Sequence, residues 1–179
     1  MDLTIIIFLL GGLFLGWSLG ANDAANVFGT AVGTRMVQFK TAALVCSVFV
    51  ILGAIISGAG TTETLGKLGA INALPGAFAA CVAAGLSVYI MTKFGLPVST
   101  TQAIVGAIVG WNIYTGSPTN IKILFTILST WVLCPIIAAL IAMLFFILTK
   151  KILRKSNWHI LRLDAYTRTA LLLAGAFGA

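Results

Sequence analysis

The chain has 179 residues, of which 60% are hydrophobic and 8% charged, with a mean hydropathy of +1.09. A soluble domain of this size carries about a quarter charged residues and slightly under half apolar ones. This chain lacks the polar surface to cover itself in water, which excludes a cytosolic enzyme, a disordered tail and a nucleic-acid-binding domain despite a net charge of +7.

A membrane-spanning helix needs about 20 mostly apolar residues. In chain order the hydropathy predicts a first span over about 3–28 and a second over 41–59. A polar stretch, 60–72, follows with Glu63 and Lys67 and reads as an outer loop. A third apolar segment covers 73–92 and is interrupted at Lys93-Phe94-Gly95-Leu96-Pro97. The fourth, 98–111, is short for a crossing. After a turn-rich 112–120 comes a long run, 121–149, with a kink expected near Pro135. Residues 150–168 read as a basic loop, and 169–179 is an apolar stretch too short to cross.

Charge orients these segments. Lys150, Lys151, Arg154, Lys155, Arg162 and Arg168 are six of the eleven basic residues, and by the positive-inside rule their loop is cytoplasmic. Arg35 and Lys40, after the first span, belong on the same side. The N-terminus is then outside, and an odd number of crossings separates it from Lys150. Residues 73–111 satisfy that parity either as two spans or as a re-entrant hairpin, and the break at Gly95-Leu96-Pro97 favours the hairpin. An odd count would invert any second copy of the unit. Inverted repeats with broken helices are a secondary-transporter architecture. The expected fold is therefore an all-α membrane protein, a multi-span helical bundle forming one half of an inverted-repeat transporter. On this reading 1–149 is the first repeat and 169–179 the truncated start of a second.

Two polar motifs interrupt the apolar pattern. The first is Gly20-Ala21-Asn22-Asp23-Ala24-Ala25-Asn26. An ionisable side chain deep in a bilayer costs about 3 kcal/mol or more and points to function. Carboxylate and amide oxygens are hard ligands suited to Na⁺, and amide N–H groups hold an anion's oxygens. Gly20 and Ala21 would permit local unwinding and free further carbonyls. The rival role is Asp23 as the cap of a helix starting at the membrane surface.

The second motif is Pro97-Val98-Ser99-Thr100-Thr101-Gln102, running on through Ala103-Ile104-Val105-Gly106. Pro97 suits a first helical turn, and the hydroxyls sit where unpaired N–H groups point outward. Such an end is a ready anion site. The rival role is Ser99 as a plain cap, with the threonines bonding back to the chain.

Elsewhere, Gly12, Gly16 and Gly20 form a ridge expected to pack closely against another helix. Trp17, Trp111 and Trp131 read as interfacial anchors or core, Lys93 as a snorkelling side chain and His159 as plain surface. Cys46, Cys81 and Cys134 lack metal or redox spacing and read as packing residues. The start has no basic n-region of a cleaved signal peptide. Asp23 is the single carboxylate convincingly inside the membrane, which argues against a protease dyad; no enzyme is expected.

The stretch 20–26 resembles the signature of the inorganic phosphate transporter family, the PiT permeases. The stretch 97–106 resembles that family's second conserved block, about 75 residues on and in the expected order. The resemblance implies symport of inorganic phosphate with Na⁺ or H⁺ by alternating access, two inverted repeats sharing one site, a homodimer and no cofactor beyond the coupling ion. It implies that Asn22, Asp23 and Asn26 serve the cation and phosphate sites, with Asp23 on Na⁺. Ser99, Thr100, Thr101 and the adjoining Gln102 would hold phosphate. Gln102 stands where the family often has His, which leans the coupling ion towards Na⁺, and the second signature copy is missing. The expected location is the plasma membrane. Alternatives are a permease for sulfate or another oxyanion, and a non-transporting half-length subunit.

Overall fold

A computed structural model describes residues 3–69, 74–155 and 159–179. Met1 and Asp2, residues 70–73 between the second and third segments, and 156–158 of the basic stretch lie outside the described residues. The elements are six helices: α1 (Leu3–Gly33), α2 (Phe39–Leu68), α3 (Leu74–Lys93), α4 (Thr100–Thr115), α5 (Ile121–Lys155) and α6 (Ile160–Gly178). No strand occurs among the described residues. Four helices, α1 (from Thr4), α2, α3 and α5, are long and apolar enough to cross a membrane. On α5, Leu140, Leu144 and Phe145 are each more than half exposed, and none of its described residues is buried. An apolar surface of that extent is stable only in lipid, and the chain is an all-α integral membrane protein.

Several boundaries differ from the hydropathy reading, each for a local reason. α2 does not stop at 59. Its polar last turns stay helical because Thr62 and Thr64 bond back to the carbonyls of Gly58 and Gly60, and Lys67 pairs with Glu63 one turn earlier. Of the residues expected in an outer loop, 60–68 are therefore helical, with Glu63 and Lys67 exposed. The basic segment 150–168 is likewise largely helical. α5 runs on through Lys155, and α6 begins at Ile160 with His159 as its N-cap, whose Nδ1 accepts from the Leu161 N–H. The apolar stretch 169–179 is the second half of α6, not a separate element. Pro135 lies inside α5, with helix on both sides.

Two packing relationships position the site. First, α1 and α3 run parallel: Phe8 meets Phe78 edge-on at 5.6 Å, and Trp17 meets Tyr89 at 5.6 Å, so residue numbers rise together along the pair. The close approach uses Gly11 against Phe78 and Gly85 against Phe14. The expected ridge of Gly12, Gly16 and Gly20 has no described atom within 4 Å of where a Cβ would sit. Second, α4 folds back along α3, bringing Trp111 against Gly76. The α3–α4 break thus lies beside Asn22, eleven residues and about 16 Å of helix short of Gly33, the end of α1.

Two apolar clusters hold the ends. Phe28, Ala31, Val37, Ala42 and Cys46 pack with Leu171 and Leu172 of α6. Leu68, Ala80, Val105 and Ile108 pack with Ile123, Leu124, Ile127 and Trp131 of α5.

Candidate functional site

The break between α3 and α4 is built from two helix caps. Gly95 adopts φ +71, a left-handed conformation that costs glycine nothing and other residues roughly 1–2 kcal/mol. Around it the Leu96 N–H bonds to the Met91 carbonyl (3.0 Å) and the Gly95 N–H to the Thr92 carbonyl (2.9 Å), closing α3 in a Schellman motif. Pro97 then prevents the helix from resuming at once. Ser99 caps α4, its Oγ accepting from the Gln102 N–H at 3.3 Å. The first N–H groups of α4, at Thr100 and Thr101, have no intrahelical acceptor, and the positive end of the helix points into the gap.

α1 is continuous where it meets this break. The expected unwinding at Gly20 and Ala21 does not occur: residues 20–26 are α-helical throughout, and their carbonyls stay engaged in the helix. The non-helical backbone belongs to the other motif. What α1 contributes is side chains. Asn22 is buried, with 3% of its surface exposed, and Asp23 is half-buried. Asn22 Nδ2 donates to Asp23 Oδ1 (2.7 Å) and to the Val98 carbonyl (2.6 Å). Its Oδ1 accepts from the Val98 N–H (3.4 Å) and from Thr92 Oγ1 (3.5 Å). Thr100 Oγ1 donates to Asp23 Oδ2 at 3.2 Å. The two motifs, more than 70 positions apart, thus meet through side chains.

Not every expected residue joins that contact. Asn26, one turn beyond Asn22, is exposed, and its side chain makes no hydrogen bond among the described residues. It lines a cavity of about 250 Å³ with Asn22, Thr92, Gly95, Leu96 and Pro97. Ser99 performs the capping role, while Thr101 and Gln102 are exposed with no side-chain partner among the described residues. Thr92 was missed by the sequence reading. Its one legible signal is its place in the last turn of α3, just before the break, where a hydroxyl was read as part of an apolar run. A second, larger groove of about 850 Å³ lies between α1 and α2, but Ala, Gly, Val, Ile and Phe make up nearly all its walls and offer an oxyanion almost no donors.

Asp23 lies on a mostly apolar helix, and among the described residues neither lysine nor arginine pairs with it. The ion pairs found there are Lys67–Glu63 and Arg168–Asp164, both exposed. Among the described residues no group of three or more His, Cys, Asp or Glu side chains is placed to hold a metal ion. Oxygen donors of Asp23, Asn26 and Thr100 suit Na⁺ in kind.

A membrane bundle that sets a helix break beside a carboxylate and a row of hydroxyls has the make-up of a transport protein. The model of the phosphate transporter family matches residues 19–175, and the chain belongs to that family. It is similar to a protein assigned as a phosphate permease in Thermococcus kodakarensis, 39% identical over 168 residues, covering 88% of this chain and 41% of that one. A Haemophilus influenzae protein assigned the same way is 32% identical over 154 residues, covering 79% and 36%. The chloroplastic inorganic phosphate transporter 2-1 of Arabidopsis thaliana is 33% identical over 150 residues, covering 77% and 25%. The chain spans about two fifths of the length of the first of these relatives. No solved structure matches it.

Proposed function

We propose that this chain supplies one repeat of a permease that carries inorganic phosphate across the plasma membrane with Na⁺, by alternating access. The observation that carries the reading is the Thr100–Asp23 hydrogen bond, which joins the anion-ready start of α4 to the lone carboxylate of α1. Phosphate is held by Asn26, by the hydroxyls of Ser99, Thr100 and Thr101, by Gln102 and by the free N–H groups that open α4. Na⁺ is held by Asp23 with neighbouring amide and hydroxyl oxygens. Each ion lowers the electrostatic cost of the other in a site screened from water, so each raises the other's affinity by the same factor.

In this reading the N-terminus is outside, α1, α2 and α5 cross, and α3–α4 is a re-entrant hairpin that turns at the depth of Asn22. That arrangement leaves the cationic end of α5 in the cytoplasm, as the charge rule requires. An inverted second repeat completes the site, and two such proteins pair as a homodimer.

The test is labelled-phosphate uptake into proteoliposomes holding the full-length protein, under inward Na⁺, K⁺ or H⁺ gradients, with sulfate as competitor and Asp23→Asn as control. Uptake driven by Na⁺, resistant to sulfate and lost in Asp23→Asn is the expected result. Uptake driven equally by K⁺, or retained in Asp23→Asn, overturns the coupling. Sulfate displacing phosphate at equal concentration overturns the choice of anion.

A further inference from the structure

Asn22 stands beside Asp23 in the first motif and shares its apparent suitability as a ligand. We infer that it is instead a positioning residue, which holds the α3–α4 break in shape by pairing with the backbone of Val98. The inference rests on the site proposed above and assigns one of its residues a different task.

The hydrogen-bonding capacity of the Asn22 side chain is fully taken up. A side-chain amide has two N–H donors and a carbonyl oxygen with two lone pairs. In Asn22 all four positions are engaged: Nδ2 by Asp23 Oδ1 and the Val98 carbonyl, Oδ1 by the Val98 N–H and the Thr92 hydroxyl. With 3% of its surface exposed, Asn22 has no free face for an ion unless one of these bonds breaks. Asn26, one turn further on, has both amide groups unclaimed among the described residues and borders the cavity.

The hairpin side explains why an amide is needed there. Inside a bilayer, non-helical backbone persists only where the protein itself satisfies its polar groups. The Schellman motif serves the end of α3, and Ser99 serves the start of α4, its own carbonyl accepting from the Ala103 N–H at 3.1 Å. Val98 lies between these caps, half-buried, and neither cap offers its N–H or its C=O a partner. A single side chain, Asn22, donates to the carbonyl and accepts from the N–H of that same residue. An amide side chain does both, as a neighbouring strand would. Aspartate lacks the donor, and alanine lacks both. Asn22 thereby fixes the residue two positions before Thr100, and with it the point at which α4 begins beside Asp23.

Hydrogen–deuterium exchange of the full-length protein, measured with neither phosphate nor Na⁺ present, separates this role from ligand binding. Asn22→Ala is expected to accelerate exchange in the segment 95–100 by about tenfold, with α2 and α5 unchanged, and Asn26→Ala to leave the segment as it was. Asn22→Asp, of nearly the same size, carries the test independently of any packing defect in the alanine variant. It keeps an acceptor for the Val98 N–H but lacks a donor for the Val98 carbonyl, and is expected to accelerate exchange in the same segment. Unchanged exchange in both Asn22 variants overturns the inference. So does acceleration spread over the whole chain. Because no substrate is present, the outcome stands apart from whether the protein carries phosphate.

Discussion

Thr100 Oγ1 lies 3.2 Å from Asp23 Oδ2, so the first residue of α4 donates directly to the carboxylate on α1. A hydroxyl that reads as an oxyanion ligand in the motif is thus also tied to the cation's expected ligand. In the proposed site the two ions are coupled, because a cation drawn to Asp23 competes with the Thr100 proton, and a freed hydroxyl changes what an anion meets.

That tie predicts an asymmetry between adjacent threonines. Thr100→Val removes a phosphate ligand of the proposed site together with the hydrogen bond to Asp23, and is expected to raise the KM for phosphate by about tenfold and to shift the Na⁺ dependence of uptake by more than about twofold. Thr101→Val, whose hydroxyl is free of Asp23, is expected to raise the KM for phosphate while leaving the Na⁺ dependence of uptake within about twofold. Uptake titrated in each ion separately decides it, and equal shifts for both ions in Thr101→Val would count against the assignment.

The left-handed glycine of the break predicts a graded series. Gly95→Val places a branched side chain at φ +71, and the resulting strain is expected to lower stability by about 1–2 kcal/mol or more. Gly95→Asn, which tolerates that region, should lose less. Thermal unfolding in detergent checks the order, and a valine variant as stable as the asparagine one would show that the turn does not need its left-handed residue.

Packing of α1 on α3 predicts a steric cost at Gly85. A Cβ there would come within 2.8 Å of the Phe14 ring and 3.4 Å of the Leu15 backbone. Gly85→Leu is expected to destabilise by about 1–3 kcal/mol through forced rearrangement. Gly53→Ala, on an open face of α2, should be neutral or slightly stabilising because it removes a helix-interior glycine. The difference in Tm between these two variants is the measurement; a matching pair of values would contradict the tight crossing.

Ser18, one turn before Asn22, is 1% exposed, and its Oγ has no hydrogen-bond partner among the described residues. A buried unsatisfied hydroxyl costs about 1–3 kcal/mol. Ser18→Ala is therefore expected to raise the Tm, with the KM for phosphate unchanged. A fall in Tm would mean that the hydroxyl has a partner in the membrane-embedded protein.

The sequence by itself determined the class of this protein and the place of its polar chemistry. Membrane partition is close to a sum over residues, so the apolar runs, the six-residue basic cluster and the two polar interruptions at 20–26 and 97–102 were legible without any contact being known. Helix ends were less so. Thr62 and Thr64 carry α2 past its apolar stretch by bonding back along the helix, which hydropathy does not register. Only the tertiary structure decided what the site residues do. Gly20 and Ala21 were positioned to unwind, yet α1 runs straight through, because the turn beside it already supplies the irregular backbone. Asn22 and Asn26 are the same residue type on the same face one turn apart. One is spent on Val98 and the other borders a cavity. Thr92 entered the site unannounced from the end of an apolar helix. A side chain's hydrogen-bonding capacity is a property of its residue type, but how much of it remains for a ligand depends on partners more than 70 positions away.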